Sequence, residues 1–431
     1  MQKYLLKSGT ILNLFPSEVK PANIRISGGK ITEVGKSLKQ KANEEVIDCT
    51  GKFVMPGLVN SHTHLYSALA RGMSGPQKAP VNFLEILQKI WWKLDKALDE
   101  ESIYYSALVG SIEAVKYGTT TLIDHHASPN YILGSLGIIK QAMSDVGLRG
   151  ILCYETTDRG GIKKRDEGLD ENESFLLAHK SNPLFRGMVG AHASFTLSED
   201  SMKKLGDMVN KYKSGIHIHV AEDKADVFDA EENYKINIVD RLVNHGVLTN
   251  KSILAHGVHL ASNEISKVRK HKSWLVHNPR SNMNNRVGYA PISLFGERTA
   301  LGTDGFPADM FEEGKVGFFR NQESSHQDRF ARIVEMLQTG NTIISEIFGE
   351  KFGTITKGTQ ADLVVLDYKS PTPLSKENLI GHFIFGMNSS IVESVMINGE
   401  WVMWNHQLFG VDEEVAMKEA AKVAKKLWER M

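Results

Sequence analysis

The chain has 431 residues, 41% hydrophobic and 24% charged, the balance of an ordinary globular protein with a sizeable core. Lys plus Arg number 51 and Asp plus Glu number 51, giving a formal net charge of zero. That balance argues against nucleic acid or an anionic membrane as the main partner, and no run of about 18 apolar residues offers a membrane span.

The first residues, with Lys3 and Lys7 among short apolar runs, lack the pattern of a secretory signal, so the cytoplasm is the expected compartment. Residues 1–56 read as short strands broken by turns, with a hairpin at Ser27-Gly28-Gly29-Lys30. Cys49 and Cys153 are too far apart for a CxxC pair, and free thiols in a reducing compartment are expected. From Gly57 short β-type runs alternate with amphipathic stretches. The runs are 57–60, 119–124, 149–154, 187–191, 216–219, 252–255, 273–276 and 299–302. Helices are expected over 84–98, 101–117, 136–146, 199–212, 235–245 and 262–271. This alternation predicts the α/β class and a (β/α)₈ TIM-like barrel over residues 57–350. The charged stretch Asp158–Glu173 reads as a surface loop after the third strand. From residue 351 to 431 the strand pattern returns and ends in a Lys-rich helix at roughly 411–430. The two flanks are expected to pair into one small β-sandwich, since neither alone has enough strands to bury a core.

In a parallel barrel the reactive side chains gather at the C-terminal ends of the strands. The runs here end in His62-Thr63-His64, His125-His126, His192, His219, His256, His277 and Asp304. Chance scatter of 16 histidines would also load helices and strand starts. His62 and His64 are two apart, so on an extended segment both rings point one way and form a half-site for zinc or iron. His219 and Asp304 complete a set of three His and one Asp that leaves a position for water. Glu222, three residues past His219, is placed to pass protons to a substrate nitrogen; a helix-start acid is the plainer alternative. His256 is placed to orient the water or polarise the scissile carbon, and His192 to contact substrate. His217 sits deeper, and at most one of His125 and His126 should face the axis.

At this point Met55-Pro56-Gly57-Leu58-Val59-Asn60-Ser61-His62-Thr63-His64 resembles the signature of the amidohydrolase superfamily. His219-Val220-Ala221-Glu222, Leu254-Ala255-His256-Gly257 and Leu301-Gly302-Thr303-Asp304 resemble its later motifs, in order. Asn278-Pro279-Arg280-Ser281-Asn282 resembles the branch holding adenosylhomocysteine, guanine and cytosine deaminases and triazine chlorohydrolases. The HVAEDKAD stretch and Asn282-Met283-Asn284-Asn285 are most similar to SsnA-type aminohydrolases. The resemblance implies one divalent metal, zinc by default and iron as the alternative, on His62, His64, His219 and Asp304. Glu222, His256 and Asp304 would handle protons and water. Binuclear relatives carry a lysine at the fourth strand; His192 stands there instead and implies a substrate contact. Arg280, where many relatives have a small residue, is counted with the substrate-binding residues. So is Trp92, expected to wall the pocket while Trp91 packs on the barrel. Arg71 reads as structural, and residues 72–82 as either a lid or a fixed loop.

The function expected is hydrolytic deamination of an amino-substituted N-heterocycle, purine- or pterin-like, with release of ammonia. Cyclic-amide opening and dechlorination use the same site and stand as alternatives, as does a non-catalytic scaffold of the same fold. The expected partner is a small heterocycle, and relatives imply a homo-oligomer without any interface being marked in the residues.

Overall fold

The computed structural model describes residues 2–324 and 329–431. The two flanks meet in one hydrogen-bonded sheet of nine strands. Its centre is the antiparallel pair Phe53–Pro56 and Leu363–Leu366, which sets Leu363 opposite Pro56 and Val365 opposite Val54. Tyr4–Asn13, Glu18–Ser27 and Lys30–Gly35 extend it on one side, with Glu45–Asp48 also on Tyr4–Asn13. Val392–Ile397, Glu400–Trp404 and Gln407–Leu408 extend it on the other. The hairpin expected at Ser27–Lys30 forms, with Gly28 at φ 61° and Gly29 at φ 76°. Two consecutive left-handed residues match the twist of a tight hairpin, which is why two glycines stand there. Leu6, Ile24, Ile26, Val54, Leu363 and Val365 bury one face as a single cluster.

Between the flanks the strands are parallel and lie in two sheets. One holds Leu58–Thr63, Thr119–His126, Arg149–Tyr154 and Phe185–Gly187. The other holds Val189–Ala193, Ile216–Val220, Ile253–His256, Trp274–His277 and Thr299–Leu301. The fourth run is thus split at Met188: its first half pairs with the third strand and its second half with the fifth. Isolated parallel bridges, Thr63 to Asp304 and Thr156 to Ala191, link the sheets at their C-terminal ends.

Helices over Glu100–Lys116, Ser135–Val146, Glu199–Tyr212 and Ser262–Lys270 fall where they were expected. The helix expected at 84–98 is built from Phe83–Ile86, a widened π-helical turn over Leu87–Trp91, and Trp92–Ala97. The stretch after the third strand corrects the sequence reading. Asp158–Gly160 is a short 3₁₀ turn and Ile162–Ala178 a 17-residue α-helix, not a loop. Its buried positions Arg165, Gly168, Leu169 and Asn172 follow the i, i+3, i+4, i+7 spacing. Three of the four are polar or glycine, so no apolar period marks them. Asn172 is buried because it bonds the backbone of Tyr154 through both amide atoms, at 2.8 and 2.9 Å.

A buried ion pair ties the flank sheet to the parallel strands. Arg149 donates from Nε and Nη2 to the two oxygens of Asp362, at 2.9 and 3.0 Å, with side chains 1% and 5% exposed. Arg149→Met should therefore cost about 3–5 kcal/mol, because it leaves the Asp362 charge buried and alone. Denaturant unfolding of the variant checks this, and a loss under about 1 kcal/mol, the range of exposed pairs, would remove the pair from that role. Among the described residues no helix is long and apolar enough to cross a membrane.

Candidate metal centre and active site

The C-terminal ends of the parallel strands carry a knot of buried histidines. His62 and His64 end the first strand, His219 the fifth and His256 the sixth. Asp304 follows the eighth and is clamped to the first: the amides of Thr303 and Asp304 both donate to the His62 carbonyl at 3.0 Å. The His64 amide donates back to the Asp304 carbonyl at 3.2 Å. His256 and Asp304 hold left-handed backbone, φ 75° and 53°, as does Ala221 at 48°. Such conformations are costly for side-chain-bearing residues and concentrate where a group must be aimed.

The aim is set by second partners. His64 Nδ1 donates to the His125 carbonyl at 2.5 Å, and His219 Nδ1 to the His192 carbonyl at 2.8 Å. Both rings therefore direct Nε2 inward, where the two nitrogens are 3.2 Å apart. His62 Nδ1 is held by His217 Nε2 at 2.9 Å, and its own Nε2 is buried with no hydrogen-bond partner among the described residues. Asp304 Oδ1 lies 2.8 Å from His64 Nε2 and 3.6 Å from His62 Nε2. Ser281 donates its hydroxyl to the other Asp304 oxygen. His62, His219, His256 and Asp304 each offer a ligand atom within 4.8 Å of one another, as do His62, His64, His125 and His219.

These donors fit a divalent cation. Inward lone pairs on neighbouring imidazoles repel unless a proton or cation lies between them. Nitrogens at about 2.0–2.1 Å from a tetrahedral zinc stand roughly 3.3 Å apart, close to the spacing seen. Burial lowers His62 to about 3 and takes His219 well below its usual range, so both are neutral and able to ligate. Burial would lower His64 as well, but Asp304 and Glu155 outweigh it and hold it up to about 10. Burial likewise opposes ionisation of Asp304, and the close approach of the His62 and His64 rings overcomes it, leaving the carboxyl well below the ordinary range.

Glu222 and His256 stand beside this cluster. Their Oε2 and Nε2 are 3.6 Å apart. His256 is oriented by Asn282 through Nδ1 at 2.8 Å, and Glu222 accepts from Asn285 at 3.2 Å. Burial pushes the Glu222 carboxyl up to about 7 against the pull of His256. In front of them lies a cavity at the mouth of the parallel strands. His64, His192, His219, Glu222 and Asp304 line it, and Trp91, Trp92 and Phe195 supply flat faces. The widened helical turn that ends at Trp91 sits where such turns are often found, beside a site.

Gly302 permits the clamp. A Cβ there would lie 2.5 Å from Asn278 Oδ1 and 2.8 Å from His62 Cβ. Gly302→Ala should displace His62 and weaken metal retention, with an overpacking cost of about 1–3 kcal/mol; metal analysis after dialysis checks it.

Of the residues expected from sequence, His62, His64, His219, Asp304, Glu222, His256, His192 and Trp92 are brought to one place. Trp91, expected to pack on the barrel, lines the cavity too. Arg280 is the correction. It is buried and turned to Glu312 and Glu313, with Nη2 on the Pro307 carbonyl at 2.7 Å, and does not line the cavity. Its charge is spent holding the helix Met310–Glu323. Arg71 makes a bidentate pair with Glu113 at 2.6 and 2.8 Å, as a structural residue should. His125 points inward, its Nε2 3.1 Å from the carbonyls of Ala191 and His217, whereas His126 bonds Ser128. Glu155 was missed. It directly follows the third strand and lines the cavity, so the rule that found the histidines also marks it.

Comparison with known proteins agrees with this geometry. The Amidohydrolase family pattern matches residues 53–402. A 5-methylthioadenosine/S-adenosylhomocysteine deaminase of Thermococcus sibiricus is 30% identical over 410 residues, 93% of each chain. A 5'-deoxyadenosine deaminase of Methanobrevibacter smithii is 29% identical over 439 residues, 99% of this chain and 98% of that one. An adenosine deaminase structure from Xanthomonas campestris with bound zinc superposes with a TM-score of 0.87 at 20% identity, covering 99% of this chain and 98% of that one. E. coli guanine deaminase gives a TM-score of 0.77 at 18% identity, covering 94% and 99%. The fold is thus TIM-barrel-like, and the chain belongs to the amidohydrolase family.

Proposed function

We propose that this chain is a metal-dependent aminohydrolase that deaminates an amino-substituted N-heterocycle, purine- or pterin-like, releasing ammonia. The observation that carries it is the convergence of His62, His64 and His219 Nε2 with Asp304 Oδ1, beside the Glu222–His256 pair. The relatives are named as deaminases of adenosine derivatives, and a structural neighbour was crystallised with zinc, which supports one zinc per chain here. Iron suits the same ligands.

His62, His64, His219 and Asp304 would hold the cation. When bound, it lowers the pKa of a bound water to near 7. Asp304 accepts the water's proton. Glu222, whose carboxyl burial pushes up to about 7, gives a proton to the ring nitrogen next to the amine-bearing carbon. His256, fixed by Asn282, hydrogen-bonds the attacking oxygen. Trp92 stacks on the ring and His192 contacts its edge. Water adds at the carbon, the C–N bond breaks, and the products are the oxo-ring and ammonia.

We further infer that the two parallel sheets close as one eight-stranded barrel over residues 57–350. Val59, Ile123, Ile151, Met188, Ile253 and Val276, one from each of six strand positions, share a buried cluster, which supports this. Residues 1–56 and 351–431 then form the attached sandwich, its inner face the cluster around Ile24 and Val365. Free, buried Cys49 and Cys153 support a cytoplasmic setting.

Ammonia release by the zinc-loaded protein across aminopurines, aminopterins, aminopyrimidines and aminotriazines tests the function. Release with a purine or pterin is expected. Silence with metal bound, together with ring opening or chloride release from suitable substrates, would overturn the deaminase reading.

A further inference from the structure

Glu155 has no part in the chemistry above, yet it stands in the same cavity. It is 2% exposed, and its Oε1 has no hydrogen-bond partner among the described residues. The rings nearest to it have no proton to give. His64 Nδ1, 3.3 Å away, already donates to the His125 carbonyl. His125 Nδ1, also 3.3 Å away, is a bare lone pair, because its Nε2 faces the Ala191 and His217 carbonyls. Glu155 Oε2 stands 4.0 Å from His192 Nε2, beyond hydrogen-bond range. That nitrogen is a lone pair too. Thr196 sends its hydroxyl proton to the Ala193 carbonyl at 3.0 Å, so it can only accept from His192 Nδ1 at 3.0 Å. Glu155 Oε1 and Oε2 and His192 Nε2 thus stand as three acceptor atoms that the neighbouring imidazoles do not satisfy. Buried acceptors left unmatched are costly, so a ligand that fits must bring hydrogens to them.

We propose that Glu155 and His192 together read a donor edge of the substrate ring, so that the amine-bearing six-membered ring also carries an N–H or a second amino group. The proposal rests on the deaminase reading and narrows it. Guanine- and pterin-like rings supply such an edge; an amine-bearing six-membered ring whose nitrogens are all lone pairs, such as that of adenine, meets like against like. Trp91, Trp92 and Phe195 take any flat ring and give no discrimination of this kind.

The test compares rings that lose the same amine and differ in the amide N–H and oxo group of the six-membered ring: guanine against 2-aminopurine, and pterin against 2-aminopteridine. Wild type should favour the N–H member by at least ~10-fold in kcat/KM. Glu155→Gln should bring the ratio to within about threefold, mostly through KM, because an amide meets the edge with a donor as readily as an acceptor. Glu155→Asp, which keeps the charge, should retain part of the preference, and both variants should keep wild-type metal content. An unchanged ratio in Glu155→Gln would overturn the proposal. So would a second metal equivalent per chain in wild type that is lost in Glu155→Gln, since Glu155, His192 and His219 could then be holding a cation. Wild-type silence on every ring would overturn the deaminase reading instead; calorimetric binding of the four rings to wild type and Glu155→Gln then decides the role of Glu155 by the same ratio.

Discussion

Asp304→Asn is expected to lower kcat for ammonia release by on the order of 10²–10⁴-fold, the contribution of a positioned general base. The variant should still fold. Asp304 sits at φ 53°, and Asn is among the few residues that accept left-handed backbone. Its backbone contacts with His62 and His64 do not involve the carboxyl. What the amide cannot do is take a proton from water while offering an anionic oxygen to His62 and His64. Steady-state ammonia release, with circular dichroism to show the fold and metal analysis to show occupancy, checks the prediction. Turnover within about tenfold of wild type, below the range for a lost general base, would take Asp304 out of that role.

Removal of the cation should have the other large effect. The prediction is complete loss of ammonia release on chelation, recovery on adding zinc, and a lower melting temperature of the apo protein. A ligand that binds only the folded state, present at one hundred times its Kd, stabilises by about 2.7 kcal/mol. Without it the inward lone pairs of His62 and His219 are left unmatched, and His64 is held against Asp304 by a proton instead. Thermal melts with and without chelator check the stability, and an identical melting temperature would argue against a resident cation.

The parts of the site that follow one another along a strand were legible from the chain. His62 and His64 share a face because a strand has period two, and His219, His256 and Asp304 were found because parallel strands deliver their ends to one place. The parts set by contacts between distant segments were not. Arg280 reads as a free cation until Glu313, 33 residues on, is seen against it. The helix Ile162–Ala178 hid because its buried face is polar, spent on holding the third strand through Asn172. The split of the fourth run at Met188 leaves no mark in composition, since both halves are equally apolar. Glu155 follows the third strand as the histidines follow theirs, but a lone carboxylate has no partner at period two to mark it, and its place shows only where the strands meet.

The most direct test of the central claim is a zinc titration of metal-free protein, with ammonia release from the best aminopurine or aminopterin followed at each addition. Activity that rises linearly and stops at one zinc per chain is the expected result. Full activity without metal, or a rise that continues to two equivalents, would contradict a single catalytic cation on His62, His64, His219 and Asp304.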